Sequence, residues 1–422
     1  MFTLNCISFF LPLDPDLTPS RAATQSCWRP FGIVKYYILD IFMIPGLEMV
    51  RYCKRCVMPD TRVGNDFDED GVCTACNNYE KGKLIDWDKR MEELSRLCDQ
   101  HRGKGESGYD CAIAVSGGKD SHVQVHLIKE KMGMNPLLLT ADSYSVTETG
   151  QRNYMNLSSS FGCDIIKLTP NLRAARSITK KALIDLGSPM WFFDSAIYAF
   201  PYRMAMKMGI KLLFYGENVS YTYGGAQKEE TPSALDQADN DVVKPFDVRK
   251  WIDSEVSERD LQSVMPPRRE EVIKSGLKPM YLSYFFPWDT HLNSEIAEKH
   301  GFHRLSHEWM REGFIEQYNQ IDTIGYLVHA WLKYPKFAQG FATLIASRWI
   351  RAGLIDRNEG IELVKKNDHI LDQRMLDDFV EFIGISHKDF WTIIDKWYNR
   401  DLFEKDRFGI WRLKDPIWGR TN

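Results

Sequence analysis

The sequence predicts an α/β protein: a Rossmann-like parallel sheet, preceded by a short cysteine-bearing module and followed by a mostly helical C-terminal region. Three observations predict it. Short, continuously apolar runs alternate with segments of helical period between residues 111 and 216. Two CxxC pairs stand just upstream, and helical patterns dominate from about 290 to the end.

Taken in order, residues 84–101 place Leu84, Trp87, Met91, Leu94 and Leu97 on one face of a helix. "CAIAVS" at 111–116 reads as a buried strand, followed by a helix to about Met132. "PLLLTA" (136–141), "DIIKLT" (164–169) and "KLLFYG" (211–216) are the next strands, with helices over 147–161, 171–186 and about 194–208 between them. Apolar runs of this kind, separated by helices, imply a parallel sheet covered on both faces, with right-handed crossovers. Ligands then sit beyond the carboxyl ends of the strands, which singles out Ser116–Ser121, Asp142 and Gly216–Asn218. Residues 226–270 loosen into an inserted loop or lid. Helices over 340–352, 359–367, 374–383 and 387–399 close the chain. The implied division is an extension (1–48), a cysteine module (49–82), the sheet domain (83–288) and a helical domain (289–422).

At 422 residues the chain can bury two or three cores, and 44% hydrophobic with 27% charged residues is ordinary for a soluble protein. A net charge of −4 supplies no global drive toward nucleic acid. The longest apolar stretch, 31–47, is interrupted by Lys35 and Asp40, too short and too charged for a membrane span. Residues 1–48 lack a secretory signal pattern and read either as a poorly ordered extension, or upstream start, or as a short element over 31–44 docked on the main domain.

The nine cysteines are an odd number in a large chain, which argues against a secreted disulfide scaffold and for a reducing cytoplasm. Cys53 and Cys56, then Cys73 and Cys76 after sixteen residues, have the spacing of a zinc ribbon: two knuckles joined by a hairpin that closes a tetrahedral thiolate site. With all four positions filled by protein, such a zinc is structural. Independent redox pairs or an iron–sulfur cluster are the alternatives, although a redox pair normally opens a helix in a βαβ context.

"SGGKDS" at 116–121 falls between a buried strand and a helix, where a phosphate loop belongs. Gly117 and Gly118 permit positive φ and close backbone approach. Backbone N–H groups favour an anion, Ser116 and Ser121 can donate to phosphate oxygens, Lys119 adds charge and Asp120 can coordinate magnesium. A purely structural turn needs neither Lys119 nor Asp120.

This motif resembles the PP-loop of the adenine nucleotide α-hydrolase-like superfamily. The resemblance implies an enzyme that splits ATP between the α and β phosphates, holding the departing pyrophosphate while AMP passes to a carbonyl or amide oxygen. Beyond the loop, residues 51–400 resemble the N-acetyl sugar amidotransferases of surface-polysaccharide biosynthesis (the WbpG and PseA type). The ribbon before the loop, "LLFYGEN" followed by "YGG" (223–225), "YFFPWDTHLNSEIAEKHGF" (284–302) and "SRWIRAGLIDRNEGIELVKKND" (347–368) carry that likeness. Thr222 departs from it, standing where an acidic residue is expected.

What the family likeness implies is conversion of a sugar acetamido group to an acetamidino group through an O-adenylyl imidate, in lipopolysaccharide O-antigen or related glycan biosynthesis. Neither a G-x-C-x-G elbow nor an N-terminal catalytic cysteine is present: Cys163 lies in "SFGCDI" and Cys6 is internal. Ammonia is therefore expected from a separate glutaminase, and the resemblance implies one of the HisH type, with a HisF-like subunit as a further partner. The catalytic residues expected are Lys119, Asp120 and Glu217, and ATP contacts fall on Ser116, Gly117, Gly118, Lys119, Asp120, Ser121, Asp142 and Gly216. Magnesium falls to Asp120 and Glu217, and the sugar substrate to Asn218, Tyr223, Gly224, Gly225, Arg348 and Arg351. Arg357 belongs with those arginines, although helix arginines are more often solvated. The competing reading is a PP-loop tRNA-modifying enzyme of the thiolation type, which would need an RNA-binding surface and further cysteines.

Overall fold

The computed structural model describes residues 50–62, 64–225, 229–235 and 247–420. The expectations for residues 1–48 lie outside them, as do parts of the proposed lid (226–228 and 236–246).

Strands β1 (Cys111–Ala114), β2 (Pro136–Ala141), β3 (Ile165–Leu168) and β4 (Leu212–Tyr215) fall where the apolar runs place them, joined by a fifth, β5 (Lys278–Tyr281). All neighbours are parallel, in the order β3-β2-β1-β4-β5. Ile113 sits between Leu138 and Phe214 in register. The sequence reading omits β5, because Pro279 interrupts its apolar pattern. An edge strand tolerates such a proline, and β5 is an edge.

Helices α1 (Thr74–Gly82) and α2 (Trp87–His101) precede the sheet. After β1 comes α3 (Lys119–Val125), extended by π-helical turns over His126–Lys131, and after β2 comes α4 (Glu148–Phe161). Helices α5 (Leu172–Leu186) and α6 (Trp191–Lys207) link β3 to β4. Between β4 and β5 lie α7 (Val219–Thr222), α8 (Glu258–Val264) and α9 (Arg269–Ser275). Then follow α10 (Thr290–Lys299), α11 (Gly325–Trp331), α12 (Lys333–Phe337), α13 (Phe341–Ala352), α14 (Arg357–Asn367), α15 (Gln373–Ile383) and α16 (His387–Trp397). A short antiparallel hairpin, β6 (Phe403–Lys405) and β7 (Trp411–Leu413), ends the fold.

Both faces of the sheet are covered. Ile113, Leu138 and Phe214 pack on Leu94 of α2, Val125 and Leu157 of α4. On the other face Ala112, Leu137 and Leu213 meet Phe200 and Ala205 of α6 and Val272 of α9. A third core joins α5, α6, α8, α11, α15 and α16 around Phe192, Phe193, Phe379 and Phe390. Val248, Trp251, Val256 and Leu261 belong to that core, so this stretch of the expected lid is packed structure. Trp251 Nε1 donates to Asp185 at 2.8 Å and Lys181 pairs with Asp253 at 2.6 Å.

Helix ends follow local chemistry. Asp86 accepts from Lys89 N, so α2 starts there; Leu84 lies outside the helix and is 87% exposed, not on its buried face. Thr147 and Asn171 cap α4 and α5, and Gly162 and Gly187 end them in the left-handed region. Among the described residues no helix is long and apolar enough to cross a membrane.

Candidate functional site

The chain turns from β1 to β2 on one side of β1 and reaches β4 on the other, so the carboxyl ends of β1 and β4 flank a switch point. The loop after β1 is Val115–Gly118. Gly117 adopts φ +95°, and a Cβ there would come within 2.9 Å of the Tyr154 Cα, so only glycine fits. The loop folds around one hydroxyl: Ser116 N and Gly117 N donate to Ser121 Oγ at 2.9 and 3.3 Å, while Gly118 N donates to Ser116 Oγ at 3.3 Å. Each of these N–H groups is satisfied by a hydroxyl of the loop itself, in a tight cradle closed by Ser116 and Ser121.

Lys119 is buried, and its Nζ pairs with Asp120 Oδ2 at 2.5 Å. The other Asp120 oxygen accepts from Asn293 Nδ2 of α10 at 2.8 Å. Across the switch point Glu217 lies deep yet keeps part of its surface open, as a cleft residue does. Burial and then the Asp120 carboxylate push the Glu217 carboxyl up to about 7, against the pull of Lys119 and Arg348. The Glu217 carboxyl thus lies near the Asp120 carboxylate, and carboxylate oxygens are the donors a hard divalent cation takes. The Arg348 guanidinium lies 3.9 Å over the Tyr223 ring, and its buried Nε has no hydrogen-bond partner among the described residues. Burial, with Arg62 and Arg348 nearby, draws the Lys333 amine down to about 8.

Other expected residues have partners within the chain. Asp142 directly follows β2 and is held by Lys167 Nζ at 3.0 Å. Gly216 lies under Trp288, whose ring a Cβ would meet at 3.0 Å. Asn218 is buried and caps α7, accepting from Tyr221 N at 3.1 Å. Tyr223, Gly224 and Gly225 turn against the cysteine module: Arg62 donates to Tyr223 O at 3.1 Å, and a Cβ on Gly224 would strike Asn65 Oδ1 at 2.6 Å. Gly224 therefore answers to a close approach between segments. Arg351, read as a substrate residue, is buried with its charge directed at the sulfurs of Cys56, Cys76 and Cys73. Arg357 donates to Cys56 O at 3.2 Å and Cys53 O at 3.4 Å.

Those four sulfurs form a buried cluster within 4.8 Å of one another. Cys53 Sγ lies 3.9 Å from Cys76 Sγ, and Cys56 Sγ 3.8 Å from Cys73 Sγ. Tetrahedral zinc with bonds of about 2.3 Å sets sulfurs roughly 3.8 Å apart, so the cluster fits structural zinc. The first pair lies in the turn after Tyr52, which bridges to Pro59; the second opens α1, with Cys73 at its N-cap. The second pair thus begins a helix, contrary to the two-knuckle expectation, but the other pair completes a closed set.

Two contributors escaped the sequence reading. Asn293 sits in the 284–302 segment, where its aromatic neighbours drew the eye. His122, inside α3, accepts from Asn156 Nδ2 at 3.1 Å and donates from Nδ1 to Gly118 O at 3.0 Å, pinning the loop carbonyl. Its helix face also carries Lys119 and His126, so no break in pattern marked it in the sequence.

The fold and site define an α/β protein with a tight glycine loop at the switch point of a five-stranded parallel sheet, and a buried four-cysteine cluster. Residues 312–416, about a quarter of the chain, match the family described as LPS biosynthesis protein WbpG-like, C-terminal domain. The chain is also 24% identical over 184 residues to an uncharacterized protein of Methanocaldococcus jannaschii, a stretch that is 42% of this chain and 62% of that relative. It thus spans a little under two thirds of that relative's length.

Proposed function

We propose that the chain is an ATP-dependent amidotransferase that converts a sugar acetamido group to an acetamidino group, with ammonia from a partner glutaminase, in lipopolysaccharide O-antigen or related glycan synthesis. The observation that carries this reading is the Ser116–Ser121 cradle with Lys119 and Asp120 facing Glu217 across the switch point. The WbpG-like C-terminal match supports the glycan context.

In this reading the cradle and Lys119 hold the β and γ phosphates of ATP. The amide oxygen of the sugar attacks the α phosphorus, and pyrophosphate leaves. Ammonia adds to the imidate carbon and gives up a proton, and AMP departs with the former amide oxygen. The chain's part is positioning and preorganised charge, because an unactivated amide is a poor electrophile. Asp120 and Glu217 would hold magnesium, which supplies positive charge against the phosphate oxygens. Arg348 and Tyr223 line the approach to Glu217.

The test incubates the protein with ATP, magnesium, ammonium salt and UDP- or CMP-linked acetamido sugars. AMP, pyrophosphate and a product with NH in place of one oxygen are expected. ADP in place of AMP overturns the cleavage chemistry, and AMP formed only with tRNA transfers the reading to the thiolation type.

A further inference from the structure

We propose that His126, Glu130 and His300 form a second metal site, for a zinc-class divalent ion, which fastens the helix leaving the glycine loop to the helix that carries Asn293. His126 and Glu130 lie on the π-helical extension of α3, where Met132 N donates to Leu127 O at 2.9 Å, an i→i+5 bond. Such a turn holds more residues than the 3.6 of an α-helix, so side chains four apart come nearer to eclipse. His126 Nδ1 meets Glu130 Oε2 at 2.5 Å. His300, at the end of α10, brings its Nε2 to 3.7 Å from the same oxygen.

The three donor atoms lie within 4.8 Å of one another, and the two imidazole rings are 4.5 Å apart. A tetrahedral ion with bonds of about 2.1 Å needs donors about 3.4 Å apart, between the 2.5 and 3.7 Å at which the two imidazole nitrogens stand from Glu130 Oε2. An ordinary surface ion pair explains one histidine beside Glu130; it does not call for a second imidazole converging on the same carboxylate oxygen. His300 is also fixed in place: its carbonyl accepts from Asn156 Nδ2 at 2.6 Å, and its ring packs 5.0 Å from Phe161. Glu130 keeps 41% of its side chain open, which leaves room for water to complete the coordination. Two imidazoles and a carboxylate select zinc and its neighbours over magnesium or calcium.

This site is separate from the cysteine cluster and does not depend on the reaction proposed above. Tag-free full-length protein carrying its cysteine-bound zinc is equilibrated with Zn2+, and bound metal is counted by mass spectrometry and titration calorimetry. One ion per chain beyond the cysteine-bound one is expected. His126→Ala and His300→Ala should each weaken it by about tenfold or more. The pair His303→Ala, His307→Ala should leave it unchanged. Glu130→Gln, a half-exposed substitution with little risk to folding, should also weaken it. Added Zn2+ should slow amide exchange over 126–132 in the wild type but not in His300→Ala. A wild type that takes up no second ion, or an affinity unaltered in the His126→Ala, His300→Ala double variant, overturns the proposal.

Discussion

His122 lies between an acceptor, Gly118 O, and a donor, Asn156 Nδ2, so only the neutral imidazole with its proton on Nδ1 satisfies both. Burial draws its pKa down to about 4. A group depressed below its unfolded value of roughly 6.5 lends stability that is present above that pH and is lost as the pH falls toward the folded value. The shift corresponds to about 3 kcal/mol. His122→Asn keeps a donor for Gly118 O and cannot titrate. Urea unfolding of both proteins should therefore show the wild type's advantage shrinking by about 2–3 kcal/mol between pH 7 and pH 4. A difference that is flat with pH contradicts the assignment. At Asp120 the question is one of charge: Asp120→Asn removes the ion-pair partner of buried Lys119 and one of the two carboxylates proposed to face the metal. AMP release should drop by about 10²-fold or more, with folding retained by circular dichroism.

At the scale of elements, the loop depends on how closely β1's exit approaches α4. Gly117→Ala places a methyl against the Tyr154 backbone in a left-handed conformation, where neither partner can move aside cheaply. A loss of about 1–3 kcal/mol in urea unfolding is expected, together with weakened ATP binding by calorimetry. Gly118→Ala is the control: its φ is −68° and only Ser116 Oγ lies near, at 3.4 Å, so its stability should hardly change. This is also the scale at which the sequence was most legible. The apolar runs of β1, β2 and β4 announce themselves because a strand buried on both faces cannot afford polar positions, and the helices between them are punctuated by Thr147, Asn171, Gly162 and Gly187. Short β5 was hidden because Pro279 breaks its pattern and an edge strand needs fewer apolar residues. The surroundings of Arg351 and Arg357 were hidden for another reason. Periodicity shows that a helix carries arginines, whereas their partners, the Cys53–Cys76 cluster, lie about 300 residues away in the chain.

Across the whole molecule, the cysteine module and the last hundred residues are interlocked, so the two ends of the described chain stabilise each other. Leu344 and Ile350 of α13 pack on Cys53, Met58 and Cys76. Val57 shares a core with Ala346, Val364 and Ile417, and Val50 shares one with Tyr334, Leu402 and Phe403. Tyr52 donates to Asp415 O at 3.0 Å, Thr61 to Phe337 O and Arg420 to Val50 O. A zinc ion at the four sulfurs would order more than the module, because Arg351 and Arg357 tie α13 and α14 to the same sulfurs and turn carbonyls. Stripping it would leave buried Arg351 facing uncompensated thiols and free the turn that Arg357 grips. Cys56→Ser should therefore lose one zinc per chain and a large part of the stability, since structural zinc contributes on the order of 10 kcal/mol in small domains. Hydrogen exchange locates the damage: amides of Phe341–Ala352 and Arg357–Asn367 should lose protection together with Thr74–Gly82, while β1 and β2, whose cores contain none of the module, keep theirs. Deprotection confined to residues 50–82 would show instead that the module unfolds alone and that the helical region stands without it.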